Sequence, residues 1–146
     1  AEYLDSMKSQ FAIVQAVLGG IGAVSLLVAA IGIANTMMMS IYERTKEIGV
    51  MKVLGCDMRN IQAMFLMEAA DIGLVGGIVG LGISYLISMI INKVVAASGN
   101  MSSLSYIPLW LAGASVIFAV VIGMAAGYFP SKRAMKLSPL AAIRNE

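Results

Sequence analysis

Histidine is absent from the 146 residues, cysteine occurs once, at Cys56, and charged residues make up only 12%. Without histidine there is no Cys/His zinc site, no histidine-based catalytic triad and no imidazole pH switch. A single thiol has no partner for an intramolecular disulfide. Ten Lys and Arg against eight Asp and Glu leave a net charge of +2, too small to point to nucleic acid. The phosphate-cradling pattern G-x-x-x-x-G-K-[ST] does not occur. The chain is therefore not expected to be an enzyme or to bind a metal or cofactor itself.

Apolar residues are what the sequence has in excess, at 60% with a mean hydropathy of +0.89. Soluble domains carry about a quarter of their residues as charges, and a soluble core of this size could not absorb so much apolar surface. No charge falls between Lys8 and Glu43, between Asp71 and Lys93, or between Lys93 and Lys132. Each gap exceeds the roughly 20 residues that cross a bilayer core. Spans are placed at Phe11–Ile41, Ala70–Ile91 and Ile107–Phe129. The runs lack period-two alternation, so the backbone satisfies itself as helix and not as barrel strand. The expected fold class is an all-α membrane protein with three transmembrane helices. The first run is longer than a bilayer requires and should tilt or project from one face.

The basic residues set an orientation, because short cytoplasmic loops retain Lys and Arg. Arg44, Lys46, Lys52 and Arg59 lie between the first two runs, and Lys132, Arg133, Lys136 and Arg144 follow the third. Only Lys8 and Lys93 fall on the other side, so the N-terminus is expected outside and the C-terminus in the cytoplasm of a cell membrane. Tyr42, Tyr128 and Phe129 near the inner boundary, and Tyr106 and Trp110 near the outer one, fit an interfacial belt. Tyr85 does not, and is expected between helices. The polar opening residues have no signal-peptide character, and an outward residue 1 suggests an upstream span and external domain. Asn100-Met101-Ser102 has the form of a glycosylation sequon and reads best as chance.

Small residues recur every fourth position as Gly73/Gly77, Gly76/Gly80/Ser84, Ala30/Ala34 and Ala119/Gly123/Gly127, the spacing that lets helix backbones approach closely. Gly73, Gly77, Gly80, Gly123 and Gly127 are the expected packing positions. The twelve methionines, Met37, Met38 and Met39 among them, read as adaptable packing, since neither histidine nor a second cysteine is available to a soft-metal site. The spans hold uncharged polar side chains such as Ser25, Asn35, Thr36 and Ser84 but no ionisable residue, which gives an ion pore or proton-coupled carrier little to work with. Glu68 and Asp71 stand where the second span begins, Asp71 as a cap or anchor.

The segment from Ile41 to Gly55 carries the densest pattern. Glu43 and Glu47 are four apart, Ile48, Met51 and Leu54 have near-helical spacing, and Gly55 stands where a helix C-cap belongs. Asp57 follows as an N-cap for the next helix. These residues alone leave open a short cytoplasmic helix that touches a partner and a solvated charged loop.

The run Glu43-Arg44-Thr45-Lys46-Glu47-Ile48-Gly49 followed by Lys52-Val53-Leu54-Gly55 resembles the signature loop of the FtsX-like permease family, which includes MacB-type ABC exporters. Gly32-Ile33-Ala34-Asn35, Phe65-Leu66-Met67-Glu68-Ala69 and Pro139-Leu140-Ala141-Ala142-Ile143-Arg144 extend the resemblance over residues 11–146. Cys56 stands where such proteins commonly have alanine. The resemblance implies the last three helices of a four-helix transmembrane subunit. It divides the chain into the end of an extracytoplasmic region (1–10), a long transmembrane helix (11–42), a cytoplasmic coupling loop or helix (43–57), a second transmembrane helix with its lead-in (58–92), an outer loop (93–106), a third transmembrane helix (107–129) and a cytoplasmic tail (130–146). It further implies a homodimer or heterodimer set in membrane lipid, ATP-Mg on a partner ABC ATPase that is fused or separate, and an adaptor in the periplasm or outside the cell. Glu43, Arg44, Glu47, Ile48, Gly49, Lys52 and Gly55 would couple ATP hydrolysis by that partner to movement of an external domain for export. Arg44 and the glutamates would make charged contacts and the two glycines would let the backbone turn. A regulator of a cell-wall hydrolase from the same family, or a structural membrane subunit, would be the rival functions.

Overall fold

The computed structural model describes residues 2–99 and 104–136. They form α1 (Glu2–Glu43), α2 (Thr45–Val53), α3 (Met58–Ala97) and α4 (Leu109–Lys136). Three of these helices are long and apolar enough to cross a membrane, and the protein is an all-α, multi-pass membrane protein. Ala1, the Asn100-Met101-Ser102 sequon and the Pro139–Arg144 motif lie outside the described residues.

Helix ends follow local chemistry. Residues 2–10, read from sequence as part of an external region, belong to α1. At about 1.5 Å per residue α1 and α3 are each roughly 60 Å long, twice the hydrocarbon thickness. The Asp57 carboxylate accepts from the Arg59 amide at 3.3 Å and caps α3. Pro108, which has no N–H to leave unpaired, precedes α4, and its carbonyl accepts from Leu111 and Ala112 at 3.1 Å.

The hydroxyls of Ser25, Thr36, Ser84 and Ser115 each donate to the carbonyl four residues back, at 2.8–2.9 Å. That bond hides a polar group which hydrocarbon would not solvate.

α3 and α4 form a close antiparallel pair. A Cβ added at Gly73 would stand 2.5 Å from the Ala119 carbonyl oxygen, one at Gly123 would stand 2.7 Å from the Ala69 carbonyl oxygen, and one at Gly77 would stand 2.9 Å from the Ala119 Cβ. Gly127 faces the Ala69 methyl in the same seam. Gly80 does not share it: nothing lies within 4 Å of its added Cβ, and the same holds for Gly76. Beyond Gly77 the two helices part around a cleft of about 350 Å³, which Gly80, Ser84, Ser115 and Phe118 line and Leu26 of α1 reaches. α1 rests mostly on α4. Its residues from Glu2 to Ala29 are exposed, and its buried side chains are Met37 and Ile41.

Candidate functional site

All four helices meet at the end of the bundle that carries α2. Met37 and Ile41 of α1, Ile48 of α2, Ile61, Phe65 and Ala69 of α3, and Ala134 of α4 form one buried cluster, with Ile33, Met51 and Ile72 against its edge. Ile61, Phe65, Glu68 and Ile72 fall at i, i+4, i+7 and i+11, so one stripe of α3 faces this junction with a single carboxylate set in it.

α1 passes into α2 through one residue. Arg44 leaves helical geometry at φ −99° and ψ 14°: its amide closes the ladder of α1 on Ser40 O and its carbonyl opens that of α2 by accepting from Ile48, both at 3.0 Å. The Thr45 hydroxyl lies 3.0 Å from Ile41 O and 2.8 Å from Tyr42 O, covering carbonyls exposed at the break. The Arg44 Nη1 donates to Glu68 Oε2 at 3.3 Å, with the two side chains 45% and 37% exposed. A pair this exposed contributes about 0.2–1 kcal/mol. Nearby, the Arg133 guanidinium lies 5.9 Å from the centroid of the Tyr42 ring, tying α4 to the same end of α1.

The sequence-predicted coupling residues divide into two groups. Ile48 is 0% exposed and Gly49 is buried, so both face the junction. Glu43 and Glu47 are exposed, in company with Lys46, Val50, Val53 and Leu54, the last at 81%. Arg44 reaches along the chain to Glu68. Lys52 is half-buried, and desolvation lowers the pKa of its ammonium from the ordinary lysine value. Gly49 is helical and makes no turn; the turn belongs to Gly55, at φ +88°. Around it Gly55 N donates to Lys52 O at 3.2 Å and Cys56 N to Met51 O at 2.9 Å, the paired bonds of a Schellman stop. α2 is thus a helix with one side fixed in the bundle and the other, part acidic and part apolar, open.

Sequence reasoning overlooked a second constellation at the far end of α3. The Asn92 carboxamide oxygen accepts from the Leu104 and Ser105 amides at 2.9 and 2.8 Å, and its nitrogen donates to Ser105 O at 2.8 Å. The Ser88 hydroxyl donates to Ser105 Oγ at 2.8 Å, and the Tyr85 hydroxyl lies 3.5 Å from Ile107 O. A polar stripe at i, i+3 and i+7 was the available signal: Tyr85, Ser88 and Asn92 share one helix face that fastens the segment returning to α4. Tyr85, expected between helices, is partly exposed at this site.

Residues 19–139 match the FtsX-like permease C-terminal family. An ABC transporter permease of Methanocaldococcus jannaschii is 38% identical over 97% of this chain and 35% of its own length. The ABC transporter permease YtrF of Bacillus subtilis is 40% identical over 86% of this chain and 31% of its own length. The macrolide export ATP-binding/permease protein MacB of Neisseria gonorrhoeae is 38% identical over 88% of this chain and 19% of its own length. The chain spans about a third or less of these relatives. With its multi-pass helical bundle and a match over most of its length, the chain belongs to the FtsX-like permease family.

Proposed function

We propose that this chain is the membrane-spanning coupling portion of an ABC exporter of the mechanotransmission type, with α2 docking on a nucleotide-binding partner in the cytoplasm. The observation that carries the reading is the two-sided burial of α2. Ile48 is locked into the four-helix junction while Glu47, Val50 and Val53 of the same helix are exposed. A solvated topogenic loop needs neither a buried anchor nor an exposed apolar side. ATP-Mg is bound and hydrolysed on the partner; this chain receives the movement and passes it through the junction to α1. The distribution of basic residues supports an orientation with α2 and the tail on the cytoplasmic face of the cell membrane and Glu2 outside. A second permease copy or a related subunit completes a dimer, and an external adaptor takes up the motion of α1.

Changing Glu43→Lys together with Glu47→Lys tests the docking. The double variant is expected to reach the membrane in normal amount and orientation, because added positive charge on that side agrees with topology. Truncating one side of a buried charge pair costs about 2–5 kcal/mol of binding, which is roughly a 30-fold loss or more. Co-purification of the nucleotide-binding partner should fall by that factor, together with ATP-dependent activity. Undiminished co-purification and activity would return the segment to the role of a topogenic loop.

A further inference from the structure

We propose that Glu68 is a positioning residue for coupling, its carboxylate clamping Arg44 at the break between α1 and α2 so that α2 and α3 turn together. The inference rests on the docking of α2 just described. Arg44 is the one residue between the two helices, and its amide ends one ladder while its carbonyl begins the next. Such a joint keeps hydrogen bonds in either direction but has soft dihedrals of its own. What fixes its direction is the side chain, held 3.3 Å from Glu68 across 24 residues of sequence. Arg44 stands four residues before Ile48 and Glu68 three after Phe65, both fully buried, so the pair lies one helical turn from the apolar junction on each side. Arg44 therefore acts through Glu68 inside this chain and not as a surface contact to the partner. Glu68 is the single carboxylate in the α3 stripe Ile61, Phe65, Ile72, and an apolar residue there would pack as well while leaving the joint unguided.

The test is a charge exchange in the permease reconstituted in vesicles with its nucleotide-binding partner. Arg44→Glu, Glu68→Arg and the two together are compared for partner affinity and for kcat and KM of ATP hydrolysis. Like charges at this separation repel by an amount equivalent to about a tenfold rate change. Each single variant should lower kcat about tenfold and leave partner affinity and the KM for ATP within about threefold, and the exchange should restore kcat to within about threefold of the parent. Wild-type turnover in Glu68→Arg, or an exchange no better than the single variants, would overturn the clamp. A tenfold loss of partner affinity in Arg44→Glu alone would overturn it too, by making Arg44 a contact residue. If a charge-reversed variant fails to accumulate, Glu68→Gln replaces it: a kcat lowered about threefold supports the clamp, and an unchanged one removes it. The Glu43/Glu47 double variant reports separately on docking, since it leaves this pair in place.

Discussion

At Gly73 the carbonyl of Ala119 occupies the place a methyl group would need, whereas Gly76, three residues on, faces open space. Gly73→Ala should therefore destabilise by about 1–3 kcal/mol, the usual cost of overpacking a close contact. Gly76→Ala should be neutral or stabilising by up to about 1 kcal/mol, because alanine is the better helix former. Thermal midpoints in detergent micelles would check the pair; equal shifts would mean that the seam is looser than its distances. Spacing set Gly80 among the packing positions with Gly73, Gly77, Gly123 and Gly127, although Gly80 faces open space as Gly76 does. Two small-residue rows offset by three positions differ only by helix rotation, and rotation is decided by the neighbour. Arg44 was hidden for a related reason: its charge and place in the loop were legible, while the carboxylate that receives it lies on another helix.

Among the elements, the capping residues on either side of the turn after α2 were the most readable, while α2 itself stood open between a helix and a solvated loop. Gly55 and Asp57 act through bonds to near neighbours, and local bonds follow local sequence. Helix length was less so. Charge gaps mark where hydrocarbon begins, not where the backbone stops being helical, and α1 accordingly runs on through Lys8 to Glu2. At the far end of the hairpin of α3 and α4, Asn92 makes three bonds to the Leu104 and Ser105 amides and the Ser105 carbonyl. Asn92→Leu should strand those groups at a cost of about 1–3 kcal/mol. Amide hydrogen exchange at Leu104 and Ser105 is then expected to quicken by about tenfold or more. Unchanged protection at both would show that the return segment holds its shape without the carboxamide.

For the molecule as a whole, orientation is the property that one thiol can decide. Cys56 is exposed at the turn after α2, so a membrane-impermeant maleimide should leave it unlabelled in intact cells and label it once membranes are opened, in a preparation free of bound partner. Labelling from outside would reverse the topology drawn from the basic residues. Either way, the bundle is unevenly held. The α3–α4 pair is fastened by the glycine seam and by Asn92, while α1 has its buried side chains, its contact with Arg133 and its link to α2 all at one end. Beyond Leu26, which reaches the α3–α4 cleft, about 24 further residues of α1 extend roughly 36 Å. A rod clamped at its root turns angle into distance: tilting the root by about 10° sweeps the tip of such a helix through roughly 6 Å. The amplification needs no bending and no new contact along the way, so under the coupling proposed above the stiffness of α1 would set how faithfully a small rotation at the junction arrives at Glu2.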